Sequence, residues 1–398
     1  MLRWEEERRR VLAKLEELER TRELEAQEWT ELTSAGEAGG ENELRLLGQE
    51  ARRLHRKLNW ISAKLEQALL ALPNLPDASV PPGKDDPSNV EVKRWGDIPR
   101  FEFRPRPHWE LGPQLGLWDE ERAAKLVGRG FVTLKRTGAR LRRALVDFLL
   151  DVHVDQHKYT ELSPPLLTKR ESLTGTGQLP RMEAGMYRTS PSTCKELFLS
   201  PSGEVPLVNL HCKEVLNASL LPLCYVAHTL CFRRQAGAHG KASRGLVRLH
   251  QFDKVDLVKL VLPEQSDGAF RQLLMEVESA VQQLELPYRI MALCSGRLSF
   301  AASSGYAVEV WASGMARYVE VASCDHFREY QARRAGIRYR LEGGRKLGYV
   351  HTMNASALGV PRTIAAIVEN NQTAQGRVVV PSALRRYMGG LEALDHTG

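Results

Sequence analysis

The chain has 398 residues, 42% of them hydrophobic and 26% charged, with a formal net charge of +7. That length suggests two or three domains with a substantial core, and average Pro and Gly usage excludes collagen-like and broadly disordered chains. No apolar run reaches the ~18 residues of a membrane-spanning helix, and the cationic excess favours a polyanionic partner. Residues 1–72 stand apart, with 13 Lys/Arg, 15 Asp/Glu and no proline. In their second half Leu44, Leu47, Ala51, Leu54, Leu58, Ile61, Leu65, Ala68 and Leu72 recur in alternating steps of three and four, the seam of a coiled coil. Trp4, Val11, Leu15 and Leu18 form a looser stripe, with Trp29 and Leu32 beyond them, before the Gly-rich breaker at 34–40. Two helices of about 30 residues should therefore fold back as an antiparallel hairpin roughly 45 Å long. From Asn42 to Leu72 there are six basic residues against three acids, including Arg45, Arg52, Arg53, Arg56 and Lys57. Such a face suits phosphate contact, though a solvated charged surface has the same pattern.

Residues 73–97 read as a Pro/Asp/Ser-rich linker carrying a short strand at Val90–Gly96. From 98 to 398 helices and strands mix. Ala139–Asp155, Ala269–Leu284 and Thr363–Asn371 read as helices, Leu246–Leu262 as long strand-like runs and Ala307–Cys324 as β-rich. Successive strands with few crossover helices predict an α+β body, an antiparallel sheet flanked by helices.

Several chemistries are excluded. There is no P-loop, no Gly-x-Gly-x-x-Gly between strand and helix, no nucleophile elbow and no His-Glu-x-x-His pair. Cysteines 194, 212, 224, 231, 294 and 324 make no Cys-x2-Cys pair, so neither a zinc ribbon nor a disulfide framework is expected. The start, MLRWEEERRR, has no apolar signal region, so the expected compartment is cytoplasmic, with the mitochondrial matrix after processing as the alternative. The informative stretch is 231–256, CFRRQAGAHGKASRGLVRLHQFDKVD. Its six cations (Arg233, Arg234, Lys241, Arg244, Arg248 and Lys254) surround a Gly-rich turn. Arginines on facing strands of a hairpin can fork phosphate oxygens, and a basic surface hairpin is the plainer alternative.

At this point the chain resembles the seryl-tRNA synthetase family of the bacterial and organellar type, class II aminoacyl-tRNA synthetases. The likeness runs over essentially the whole sequence. It includes ALPNLPDASVPPGKDD (71–86), GTGQLP (175–180), the 231–256 stretch as motif 2, SCDHFREYQARR (323–334) and HTMNASALGVPRTIAAIVENNQ (351–372) as motif 3. The resemblance implies a class II catalytic domain at 98–398, a coiled-coil tRNA-binding arm at 1–72, and a homodimer through the Ala139–Asp155 helix running to Pro164-Pro165. It implies ATP and Mg2+ as cofactors, serine and tRNA(Ser) as partners, and no membrane. Arg233 would clamp the α-phosphate, Arg362 the γ-phosphate, and Arg248 would be a second phosphate-facing arginine. Phe252 would stack on adenine beside Gln235, and Glu320 and Ser323 would hold magnesium. Ser202 and Glu204 would grip the ammonium of serine, with Asp256 and Ser356 at its hydroxyl end and Asn354 also in the serine site. The basic residues Arg45, Arg52, Arg53, Arg56 and Lys57 would meet the tRNA.

The chain departs from that pattern in places. Gln235 and Asp256 stand where the family has glutamates, Ser202 where it has threonine, Ala242 where an acid is common, and Ala307 where aspartate is usual. The N-terminus and arm are somewhat shorter than usual. A neutral amide accepts a weaker hydrogen bond than a carboxylate, and Asp256 is one methylene shorter. Two alternatives to tRNA charging therefore stand: an adenylate-forming paralogue serving a serine analogue or another acceptor, and a catalytically impaired tRNA-binding homologue.

Overall fold

The computed structural model describes residues 1–34, 41–190, 196–235, 244–341 and 343–395. They form two compact units, Met1–Leu72 and Pro73–Gly398. The expected breaker at 34–40 and the tip of the 231–256 stretch, with Lys241 and Ala242, lie almost wholly outside the described residues.

The first unit is a pair of helices, α1 (Leu2–Ser34) and α2 (Glu41–Leu70). Both are rich in Leu, Glu, Arg, Lys and Ala, the strong helix formers. Val11 and Leu15 of α1 bury against Ala51, Leu54 and Ile61 of α2, with Trp4, Leu18 and Leu58 partly covered. Ion pairs Lys57–Glu7 (2.8 Å), His55–Glu19 (3.6 Å) and Lys14–Glu50 (4.0 Å) cross between the helices, as antiparallel packing requires. Toward its end the seam departs from expectation: α2 stops at Leu70, so Leu72 is exposed and outside the helix.

The second unit is built on eight strands: β1 (Val90–Trp95), β2 (Thr160–Glu161), β3 (Leu223–Phe232), β4 (Gln251–Val261), β5 (Tyr288–Ala292), β6 (Ser304–Ala312), β7 (Arg317–Arg328) and β8 (His351–Gly359). Their order is β1-β5-β6-β7-β8-β4-β3-β2, antiparallel throughout except for the β2–β3 pair. One face carries α3 (Arg136–Asp151), α5 (Ser266–Gln283) and α6 (Val360–Asn370), which bring Leu145, Leu273 and Ile367 onto Val255, Leu257 and Val308. On the other face Leu207 and Val208 of the short helix α4 (Glu204–Asn209) pack with Ala332 and Ile337 against Val258 and Leu260. Strand β4 is thus buried on both faces from Asp253 to Val261, although five of its eleven residues are polar or charged.

Two segments differ from the sequence reading. Residues 73–97, read as a linker, are tied into the body. Asn74 donates its backbone N–H to Phe300 O and its side-chain amide to Ala301 O and Phe327 O, and β1 is an edge strand beside β5. Residues 246–250, read as strand, form turns before β4 starts at Gln251. Their backbone groups are claimed elsewhere: Leu246 N–H by His108 Nε2, Val247 O by Arg362, and His250 N–H by Gly130 O. The expected 139–155 helix is regular to Asp151 and continues as a π-type turn over Val152–Gln156.

Candidate active site

Strands β3 and β4 run antiparallel from Leu223↔Leu260 to Phe232↔Gln251, and the 233–250 segment closes their open end. Arg233 directly follows β3, and its backbone N–H donates to His250 O at 2.8 Å, fixing the neck of the hairpin. Alternation along β4 places Phe252, Lys254 and Asp256 on one face. Asp253 and Val255 turn to the other, where Asp253 meets Arg142 of α3 and His228.

On the first of these faces opens a cavity of about 470 Å³. Arg233, Gln235, Arg248 and Phe252 line it together with Glu320, Ser323, Ser356 and Arg362. Arg233 gives its Nε–H to Pro201 O (3.1 Å), and its guanidinium lies 5.3 Å from the Phe252 ring centre. Arg362, just after Pro361 in the first turn of α6, donates Nε–H to Val247 O (2.9 Å) and Nη1–H to Glu320 O (2.8 Å). Proline suits that first turn because its missing N–H would have no helical partner there. Desolvation lowers the Arg362 pKa; nearby Glu320 opposes this, while Arg233 and Arg248 add to it. A site that crowds three guanidinium groups in this way is poised for a polyanion.

Glu320 and Ser323 are three residues apart, a spacing that sends side chains to opposite faces of a regular strand. Here they share the cavity wall because β7 bulges. Val308 pairs with Ala322 and Glu309 with Glu320, so Val321 is an extra residue that resets the alternation. Gln235 accepts from Arg248 Nε (2.7 Å) through its carbonyl oxygen and donates its amide to Leu249 O (3.2 Å).

The remaining predicted residues of the body sit beside the cavity rather than in its wall: Ser202, Asp256 and Asn354 are buried and Glu204 is half-buried. Glu204 accepts from Gln331 Nε2 at 2.6 Å, and Gln331 in turn accepts from Thr352 Oγ1 (2.8 Å). Desolvation pushes the Glu204 carboxyl up to about 7, against the pull of Lys254 and Gln331, and does the same to Asp325. Sequence reasoning counted Lys254 only as part of a basic stretch and did not single out Gln331 or Asp325. The i, i+2 spacing of Phe252, Lys254 and Asp256 on a strand was the available signal. In the first unit, Arg45, Arg52, Arg53, Arg56 and Lys57 are all exposed on α2, with Lys57 drawn to Glu7. The five described cysteines are free thiols. Among the described residues no helix is long and apolar enough to cross a membrane.

Residues 187–371 match the family model for the tRNA synthetase class II core domain (G, H, P, S and T). The chain is 46% identical to a serine–tRNA ligase of Caldicellulosiruptor bescii over 98% of its own length and 92% of that protein. It is 42% identical to the serine–tRNA ligase of Clostridium tetani over 99% and 92%. Among solved structures, the seryl-tRNA synthetase of Pyrococcus horikoshii complexed with ATP superposes with a TM-score of 0.90 at 31% identity, covering 99% of this chain and 92% of that one. With a catalytic body, a helical hairpin and relatives that match along nearly their whole length, this chain belongs to the seryl-tRNA synthetase family.

Proposed function

We propose that the protein activates serine with ATP and transfers the seryl group to tRNA(Ser). The observation that carries this reading is the convergence of Arg233 and Arg362, from motif 2 and motif 3, on a single cavity that also presents Phe252 and Glu320. A volume near 470 Å³ is within the range of nucleotide-sized sites. The printed names of the relatives, serine–tRNA ligases, and the ATP in the Pyrococcus horikoshii complex point the same way.

In the first step an oxygen of the serine carboxylate bonds to the α-phosphorus of ATP, and pyrophosphate leaves with the bridging oxygen. In the second, a terminal ribose hydroxyl of the tRNA attacks the seryl carbonyl and AMP leaves. Neither step needs a protein nucleophile; both need alignment and neutralised phosphate charge. Arg233 takes the α-phosphate, Arg362 the γ-phosphate, and Arg248 a neighbouring phosphate oxygen. Phe252 offers its ring to adenine, with Gln235 at the base edge. Glu204 receives the ammonium of serine, and Ser202, Asp256, Asn354 and Ser356 complete the amino-acid end.

Glu320 and Ser323 share one wall as a carboxylate and a hydroxyl, hard oxygen donors that fit Mg2+. When bound there, the ion would offset charge on the phosphates. Exposed Arg45, Arg52, Arg53, Arg56 and Lys57 suit the tRNA backbone, recognised by shape and phosphates. The homodimer forms through α3 and the segment running on to Pro164-Pro165. A survey of amino-acid-dependent pyrophosphate exchange into ATP tests the reading. Exchange with serine alone is expected; exchange with another amino acid only, or with none, would overturn it.

A further inference from the structure

At the amino-acid end, Ser202 and Asp256 are bonded to each other and to their neighbours before any ligand arrives. The Ser202 hydroxyl donates to Asp256 Oδ1 (3.1 Å) and accepts from Lys254 Nζ (3.1 Å) and from the Glu204 backbone N–H (3.3 Å). A hydroxyl has one proton and two lone pairs, so Ser202 is saturated. Asp256, with no exposed surface, receives Lys254 Nζ at 2.6 Å and Asn354 Nδ2 at 3.2 Å on Oδ1, and the Gly203 N–H at 2.8 Å on Oδ2. With the Ser202 hydroxyl that makes three donors on Oδ1 and one on Oδ2, so Oδ1 is fully engaged and Oδ2 is held by the 202–204 turn. The fit under the 202–204 turn is close: a Cβ on Gly203 would come within 2.9 Å of Asp256 Oδ2 and 3.0 Å of Thr229 Oγ1. Lys254 differs from both. It lines the cavity while its ammonium serves Ser202 and Asp256 together, which leaves one of its three N–H bonds unclaimed among the described contacts.

We propose that Lys254 is a positioning residue of the amino-acid subsite. It locks Ser202 and Asp256 into a scaffold that aims Glu204, so position 256 supports the pocket and does not read the substrate hydroxyl. This rests on the serine-activating reading above and narrows it. Ser356, which lines the cavity and faces Asp256 across the β8–β4 ladder, is left to meet that hydroxyl.

The test is pyrophosphate exchange with the full chain, varying serine, alanine and ATP. Lys254→Met should raise the serine KM at least about tenfold with the ATP KM within about twofold, and Lys254→Arg should recover part of the loss. Asp256→Asn, close in shape, should do the same, and the double variant should be no worse than the worse single, since the two act as one unit. In Asp256→Asn the serine-to-alanine ratio of kcat/KM should hold within about twofold. A collapse of that ratio, or losses that multiply in the double variant, would overturn the proposal. Should the parent show no serine-dependent exchange, the functional reading fails by itself. Thermal unfolding of the same variants still judges the lock: sub-additive losses in Tm support it, and additive losses overturn it.

Discussion

Along α2, Arg52 and Arg56 stand in solvent above a seam whose buried side chains are Ala51, Leu54 and Ile61. In the sheet-based unit Arg233, Lys254 and Arg362 are instead held by Pro201 O, Asp256, Ser202, Val247 O and Glu320 O. Exposed cations on a hairpin act collectively: each phosphate contact adds modestly through counterion release, and no single geometry is required. Cations fixed inside a cavity act individually, because preorganised charge in a water-poor site is worth far more than the same charge in water. One region should tolerate substitution and the other should not.

That contrast can be broken first by removing the hairpin. Replacing Leu18–Lys57 with a short turn cuts both helices near the Glu19–His55 pair. It should abolish tRNA charging while pyrophosphate exchange stays within about twofold, since phosphate contacts supply much of nucleic-acid affinity. Loss of exchange as well would mean the hairpin supports the catalytic body. Inside the cavity, Arg362→Ala should lower kcat/KM for exchange by roughly 10²–10³, the scale of losing one preorganised donor. A loss below about tenfold would detach Arg362 from the triphosphate.

Glu204 sharpens the comparison through pH. With its carboxyl held up to about 7, serine kcat/KM should climb as pH rises through neutrality and the ammonium partner ionises. Glu204→Gln should lose most of that slope, and any remainder belongs to Asp325, which titrates in the same range. The stability effect has the opposite sign. A carboxyl whose folded pKa is raised contributes stability below its unfolded value of 4.5 and loses it as pH rises through 7. Glu204→Gln should therefore unfold at a higher temperature than the parent at pH 8 and match it near pH 5, as calorimetry would show. The smallest effect is expected from Gln235→Glu. A charged acceptor binds a donor more strongly than an amide does, so the ATP KM should fall by about two- to fivefold.

The seam of α2 and the strand–helix order of the body were legible because periodicity reports burial directly. The same rule failed at residues 246–250, where apolar alternation continues but the backbone groups bond to Arg362, His108 and Gly130. Long-range partners of that kind leave no local trace. The motif residues could be named from their resemblance to the family, and Arg233, Arg248, Phe252, Glu320 and Arg362 do share one cavity. The amino-acid end was harder to read. That Ser202 and Asp256 bind each other directly and share the Lys254 ammonium depends on the 202–204 turn lying against β4, a fact of tertiary packing.

Val321 has a practical corollary. Because it is the odd residue in β7 opposite an evenly counted neighbour, the strand's inside and outside are defined by its length as much as by its composition. Excising that one valine would leave every side chain lining the cavity present yet turn Glu320 or Ser323 away from it. A protein engineer trimming this segment should remove residues in pairs, or none at all.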